Sequence, residues 1–164
     1  MLSPAPHTPQ PSSFVAPVIR PAHASELAHL IDESTVLMQS LYPEESNHIV
    51  DATDLNAPGN MLLGAFLDNR ALGCVGLLRA SPTEGEIKRL FVDPNHRGQG
   101  IARELMGRLE SDAVSEGIST LRLETGIHQP ESLLLYESLG YVMRGPFGSY
   151  TDDPLSVFME KVLV

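Results

Sequence analysis

Apolar residues recur along this chain in two different periods, and the changes of period divide it into elements. Between Ala24 and Leu41 they recur at spacings of three, four and seven residues, which predicts a helix. A polar break over 42–55 is expected to contain a short second helix. Two apolar runs, 61–67 and 71–80, are joined by Asp-Asn-Arg, and this spacing predicts a hairpin.

The second half of the chain alternates strands with helices. Strands are predicted over 86–93 and 119–126, with an amphipathic helix over 101–116 between them. A last helix is predicted over 130–140. It ends at Gly140, a residue type that favours helix C-termini.

Strands at both ends complete the predicted fold. The segment 15–22 is typical of an edge strand, because Pro17 fits only at an edge or at a strand start. The segments 141–145 and 155–163 are predicted to be closing strands. The resulting order is β-α-α-β-β-β-α-β-α-β-β, which predicts an α/β fold in one domain with a mixed sheet.

The composition is that of a soluble globular protein. With 164 residues, 42% of them hydrophobic, the chain can form one full domain, predicted over 15–164. Residues 1–14 hold four prolines and no charged side chain, which predicts a disordered tail. The start of the chain lacks the features of a signal peptide, and no apolar run reaches the roughly 18 residues of a membrane span.

Charge and cysteine content narrow the partners and the compartment. A formal net charge of −10 argues against binding to nucleic acid or to an anionic membrane. The single cysteine, Cys74, excludes an internal disulfide, so a reducing, cytoplasmic compartment is expected. The six histidines show no metal-ligand spacing, and no metal site is expected.

Two glycines, Gly98 and Gly100, stand where the strand 86–93 passes into the next helix. The first turn of a helix presents free backbone N–H groups and the positive end of its dipole. Glycines there let a phosphate approach the backbone closely, and Arg97 adds a forked cationic donor. The turn therefore suits a phosphate ligand. The alternative interpretation of the same sequence pattern is a turn that only caps the helix.

Three stretches in a fixed order carry a resemblance to a known family: IKRLFVDPNHRGQGIARELM, LRLETGIHQPESLLLYESLGY and DPLSVFMEK. Over residues 18–163 the chain resembles the GNAT superfamily of acyl-CoA-dependent N-acetyltransferases. The resemblance implies that the parallel strands 86–93 and 119–126 splay apart and that acetyl-CoA lies in the cleft between them. Arg97 and Gly100 match the family's pyrophosphate turn.

The same resemblance implies a set of acetyl-CoA contacts. Backbone groups at Leu90 and Val92 would hold the pantetheine arm, and backbone amides over 97–102 with Arg103 would bind the pyrophosphate. The family's frequent asparagine on the CoA arm is replaced here by Gln129. The full set of implied contacts is Leu90, Phe91, Val92, Arg97, Gly98, Gln99, Gly100, Ile101, Ala102, Arg103, Gln129, Ser132 and Tyr136.

Acyl transfer to an amine needs a proton acceptor for the amine and a proton donor for the leaving sulfur. Glu86, at the start of the donor-binding strand, is the first candidate base, with Glu124 or water as alternatives. The resemblance places Tyr136 near the sulfur as the acid. Both main candidates also have a structural interpretation, Glu86 as a solvated edge residue and Tyr136 as core packing.

The main expectation for the acceptor is a primary amine of a small molecule or amino acid. Two alternatives stay open: a protein lysine or N-terminus as the acceptor, and a non-catalytic acyl-CoA-binding sensor. The presence of Glu86 and Tyr136 argues against the sensor. The sequence also allows a homodimer. The residues expected to face the acceptor are Tyr42, Glu45, Glu124 and Tyr150.

Overall fold

The apolar runs of the sequence form one seven-stranded sheet. The structure, a computed structural model, describes residues 15–163, so the predicted tail over 1–14 lies outside the described residues. The strands are β1 (Val18–Pro21), β2 (Met61–Leu67), β3 (Arg70–Arg79), β4 (Glu84–Val92), β5 (Thr120–Gly126), β6 (Val142–Arg144) and β7 (Ser156–Val162). The helices are α1 (Ala28–Leu41), α2 (Ile101–Ser115) and α3 (Pro130–Ser138). Between residues 15 and 163, no helix combines the length and apolar composition needed to cross a membrane.

The order of strands in the sheet is β1-β2-β3-β4-β5-β7-β6. Neighbouring strands are antiparallel except β4 and β5, which are parallel and are connected through α2. Successive residues of β2, Leu62 and Leu63, belong to different apolar layers, because neighbours in a strand point to opposite faces. The α2 residue Leu105 packs in one layer and Leu30 of α1 in the other. The predicted α/β class and mixed sheet are confirmed.

The two parallel strands separate after a short paired stretch. Residues 84–86 of β4 pair with 120–122 of β5, and within the described residues this pairing does not continue. β5 pairs instead with β7 along its whole length. A gap therefore opens between the carboxyl-terminal halves of β4 and β5, which confirms the splayed pair implied by the resemblance.

A bulge in β4 lies where the strands separate. β3 and β4 change register between Cys74 and Gly76, where β4 has an extra residue. Arg89 lies in this bulge with a φ of 59°, a left-handed conformation that is uncommon outside glycine. The bulge directs its side chain toward α1, where the guanidinium donates hydrogen bonds to Ser34 and Thr35.

The segment 42–55 differs from the prediction. It forms two short 3₁₀ turns, Glu44–Ser46 and Asp54–Asn56, rather than a second α-helix. The segment offers too few apolar residues at helical spacing to stabilise an α-helix by packing. Local side-chain bonds, such as that from the Thr53 N–H to the Asp51 carboxylate, stabilise turns instead.

Candidate active site

The N-terminus of α2 forms an open turn. Gly98 and Gly100 have φ angles of 77° and 82°, which glycine adopts without strain. None of the described side chains caps the helix at Gly100. None of the described atoms lies within 4 Å of the point where a Cβ would stand on either glycine, chain neighbours aside. The first N–H groups of α2 therefore face open space, an arrangement that binds phosphate oxygens.

A cleft of about 500 Å³ lies in front of this turn, and we call it the donor cleft. It extends from α2 across the end of β4 to the start of α3. The donor-binding residues predicted from the sequence line it, except Gln99, which is exposed, and Tyr136, which lies deeper. One end offers backbone amides and the other offers apolar walls from Leu90 and Leu135. These residues fit the phosphates and the extended arm of acetyl-CoA.

Two arginines lie at the donor cleft, and neither has a carboxylate partner in the part of the chain that the structure describes. The Arg97 guanidinium lies 5.4 Å from the centre of the Phe91 ring, and its Nε donates to the Val92 carbonyl over 3.2 Å. Arg103 donates to the Ser138 hydroxyl over 2.6 Å. Both cations are thus held in place by neutral groups, which leaves their charge available to an anionic ligand.

A second cavity of about 120 Å³ fills the gap between β4 and β5, and we call it the inner cavity. It shares Leu90, Phe91, Gln129 and Ser132 with the donor cleft. Because the two spaces share these walls, a ligand arm in the cleft can end in the cavity. Tyr136 and Glu124 lie on the cavity wall, so the structure brings together two of the predicted catalytic candidates.

Tyr136 is positioned on α3 with its ring buried and packed edge-on against Tyr141, the ring centres being 5.7 Å apart. Within residues 15–163 its hydroxyl makes no hydrogen bond, although the side chain lines the inner cavity. Burial raises the pKa of this phenol well above its ordinary value, and the nearby Glu124 carboxylate raises it further. The hydroxyl is therefore a neutral proton donor with its proton uncommitted.

Glu124 is half-buried on the cavity wall and accepts a hydrogen bond of 2.9 Å from the Ser156 hydroxyl. Burial raises the pKa of its carboxyl above the ordinary range, and this effect exceeds the opposite influence of the Ser156 hydrogen bond and of the nearby His48 and Lys88. A carboxylate with a raised pKa is a better proton acceptor than a solvated one near neutral pH.

Glu86 has a different environment. Its carboxylate forms an ion pair of 2.9 Å with Lys88 and accepts a hydrogen bond from the Tyr150 hydroxyl, to which Lys88 also donates. Lys88 lines the inner cavity, whereas Glu86 and Tyr150 do not. The predicted first candidate for the base is thus engaged by two neighbours beside the cavity.

Tyr42 closes the inner cavity from the end of α1. Its hydroxyl accepts a hydrogen bond from the His128 N–H and donates to Gln129. The ring lies so close to Gly126 that a Cβ there would stand 1.9 Å from the Tyr42 oxygen. The end of β5 therefore requires glycine for the tyrosine to take this position.

Glu45 is exposed and lies outside the residues that line the cavity. The next residue, Ser46, is buried, lines the cavity and donates to Asp153 over 2.6 Å. The turn Glu44–Ser46 thus presents its serine, and not the predicted glutamate, to the acceptor side.

Sequence reasoning missed the three basic residues that line the inner cavity: His48, Lys88 and Arg89. The signal available for two of them was a pair of adjacent cations in a strand predicted to lie inside the sheet. Charged residues at such positions are rarely buried unless they have a partner or a function.

The comparisons with known proteins agree with this geometry. The model of the acetyltransferase (GNAT) family matches residues 26–141. The IAA acetyltransferase of Azospirillum brasilense is 44% identical over 140 residues, an alignment spanning 84% of this chain and 90% of that protein. The uncharacterized N-acetyltransferase YsnE of Bacillus subtilis (strain 168) is 31% identical, spanning 84% of this chain and 93% of that protein.

A solved structure extends the comparison to three dimensions. A Klebsiella pneumoniae protein described as an acyl-CoA N-acyltransferase superposes with a TM-score of 0.79 at 34% identity, covering 90% of this chain and 98% of that one. The chain belongs to the GNAT acetyltransferase family. It is an acetyl-CoA-dependent N-acetyltransferase, which confirms the enzyme class implied by the resemblance.

Proposed function

We propose that this enzyme moves the acetyl group of acetyl-CoA to a primary amine of a small molecule held in the inner cavity. The observation that carries the proposal is the meeting of the donor cleft and the inner cavity at the gap between β4 and β5. A cavity of about 120 Å³ favours a small acceptor over a protein side chain with its backbone. The name of the Azospirillum relative agrees with a small acceptor.

Glu124 accepts the amine proton in this proposal, directly or through one water. Three observations support it over Glu86: it lies on the cavity wall, its pKa is raised by burial, and it has no cationic partner within 4 Å among the described residues. Glu86 keeps its ion pair with Lys88. Because Lys88 lines the inner cavity, Glu86 influences the acceptor only through Lys88.

Tyr136 donates its phenol proton to the leaving sulfur. As the amine nitrogen bonds to the thioester carbon, the carbon–sulfur bond breaks and its electron pair stays on sulfur. The proton lost by nitrogen passes to Glu124, and the proton gained by sulfur comes from Tyr136. Backbone groups of β4 beyond Glu86, which lack a partner on the β5 side within the described residues, are available to hold the donor arm and the thioester carbonyl.

We also propose that the reaction takes place in the cytoplasm. Cys74 is a lone, buried thiol whose pKa burial raises to about 12, so it is inert as a nucleophile. Such a thiol agrees with a reducing compartment.

An acetyl-transfer screen tests the proposal. Thiol release from acetyl-CoA is measured over small amines, amino acids and lysine peptides, and the acetylated product is identified by mass. We expect turnover with at least one small amine. Turnover only with lysine peptides would move the acceptor class to protein lysines, and acetyl-CoA binding without turnover on any amine would identify a sensor.

A further inference from the structure

Arg89 lines the inner cavity, and among the described residues its guanidinium has no carboxylate partner within 4 Å. Its Nε donates to the Val50 carbonyl over 2.9 Å, and one terminal nitrogen donates to Ser34 and Thr35 over 3.0 and 2.8 Å. All three acceptors are neutral. Within residues 15–163 no carboxylate oxygen lies within 4 Å of Arg89, although the more distant Asp51 and Asp32 act on it electrostatically.

The other arginines provide a comparison for Arg89. Five arginines lie outside the donor cleft and the inner cavity and form an ion pair with a carboxylate: Arg20, Arg70, Arg108, Arg122 and Arg144. Arg79 lies outside both cavities and donates to two backbone carbonyls. The three arginines that line the donor cleft or the inner cavity are Arg97, Arg103 and Arg89. Within residues 15–163, none of them has a carboxylate oxygen within 4 Å.

The charge of Arg89 has no direct counter-ion among the described residues, and Asp51 and Asp32 act on it only from beyond 4 Å. The adjacent cation of the cavity, Lys88, is neutralised by Glu86. The guanidinium of Arg89 is half-buried, and this partial removal from water lowers its pKa. An arginine still keeps its proton at neutral pH. A half-buried cation held only by neutral acceptors is electrostatically complementary to an anion in the cavity.

We propose that Arg89 binds a carboxylate of the acceptor, so that the substrate is an amine that also carries a carboxylate, as amino acids do. This inference rests on the proposed function, because the amine must lie in the same cavity as Glu124. The other terminal nitrogen of the guanidinium, which makes no hydrogen bond within residues 15–163, supplies the N–H groups for the carboxylate, and Glu124 on β5 receives the amine end. One acceptor molecule then bridges the two opened strands.

The hydrogen bonds of Arg89 also connect β4 to α1 and to the 47–53 loop. The test therefore has to distinguish carboxylate binding by Arg89 from this structural role. The test uses matched acceptor pairs, namely amino acids and their carboxamides, and measures kcat/KM for thiol release. In Arg89→Gln we expect a roughly 10- to 100-fold loss with amino acids and less than about 3-fold with the carboxamides. Comparing each variant with wild type on the same substrate cancels the different basicity of the two amines.

Two further variants control for folding. Thr35→Val breaks one bond of the tie and keeps the charge, so it should change both members of a pair equally. Arg89→Lys keeps the charge without the fork and should lose less than Arg89→Gln on the amino acids. Melting temperature and acetyl-CoA affinity show whether each variant is folded.

An equal loss on amino acids and carboxamides in Arg89→Gln would overturn the inference. If no amine is acetylated at all, the proposed function fails, and calorimetry decides the inference on its own. Amino acid binding to the CoA-bound protein that disappears in Arg89→Gln would still support it. Absence of binding to wild type would end it.

Discussion

The donor cleft and the inner cavity meet at the same gap in the sheet, yet they are built in opposite ways. The phosphate end of the cleft comes from one continuous turn, 97–103, and offers mainly backbone amides. The inner cavity collects side chains from α1, the 46–50 loop, β4, β5 and α3. In the proposed function, donor binding therefore depends on local backbone conformation, whereas acetyl transfer depends on packing between distant parts of the chain.

The largest expected effect concerns the base. Glu124→Gln removes the proposed proton acceptor of the inner cavity and should lower turnover by roughly 10²- to 10⁴-fold, because general-base catalysis contributes about that much. Acetyl-CoA affinity should hardly change, since Glu124 is not part of the donor cleft. The measurement is kcat against pH, and the loss should shrink at high pH, where free amine is abundant.

Glu86→Gln is the matched control for this prediction. It makes the same chemical change beside the cavity, in a carboxylate already engaged by Lys88 and Tyr150. We expect a loss under about 10-fold. A larger loss in Glu86→Gln than in Glu124→Gln would transfer the role of base to Glu86.

The acid comes next. Tyr136→Phe should lower the single-turnover rate by roughly 10- to 10³-fold, because a thiolate leaves without help but leaves faster with a proton donor. Tyr141→Phe is the control: that hydroxyl bonds Glu110 over 3.0 Å, away from the inner cavity, and its loss should leave the rate unchanged. Equal rates for Tyr136→Phe and wild type would show that Tyr136 only packs.

The donor cleft responds to a different substitution. Gly100→Asp places a carboxylate at the open turn and should weaken acetyl-CoA binding by roughly 10- to 100-fold through repulsion of the phosphates. Gly117→Asp is matched in backbone and space, with a φ of 81° and no described atom within 4 Å beyond its chain neighbours, at the opposite end of α2. Calorimetry that finds equal affinities for the two variants would show that phosphate does not bind this turn.

The smallest effect is on stability. Burial raises the pKa of Glu124, so the folded protein holds this proton more tightly than the unfolded chain. The group therefore stabilises the fold below the ordinary glutamate pKa, and that contribution is lost as the pH rises through the raised value. Glu124→Gln should thus increase the free energy of unfolding more at about pH 8 than at about pH 5, measured in urea. An increase that is the same at both pH values would contradict the assigned cause.

The sequence could predict the donor cleft better than the inner cavity. The turn of Gly98 and Gly100 was predictable because its residues are adjacent and its chemistry is that of the backbone. The splayed strands were implied by the family resemblance. Tyr136 was placed by the same route, through the motif LLLYESLGY.

The inner cavity was harder to predict because its residues meet only through tertiary packing. The preference for Glu124 over Glu86 depends on Lys88 and Tyr150, which pair with Glu86 across a sequence separation of up to 64 residues. Arg89 points toward α1 because of the bulge in β4, which simple alternation along a strand does not reveal. The prediction of a helix in the 42–55 segment was wrong for a different reason, because local side-chain bonds such as that from the Thr53 N–H to Asp51 stabilise turns there.

The central claim is that the turn of Gly100 binds the donor while Glu124 acts in acetyl transfer. The most direct test is the single-turnover rate at saturating acetyl-CoA, measured on Gly100→Asp and Glu124→Gln with the same acceptor. Saturation fills the donor cleft even in a variant that binds the donor weakly. We expect that Gly100→Asp recovers the wild-type rate while Glu124→Gln stays slow. A Gly100→Asp variant that remains slow at saturation, or a Glu124→Gln variant that reaches the wild-type rate, would contradict it.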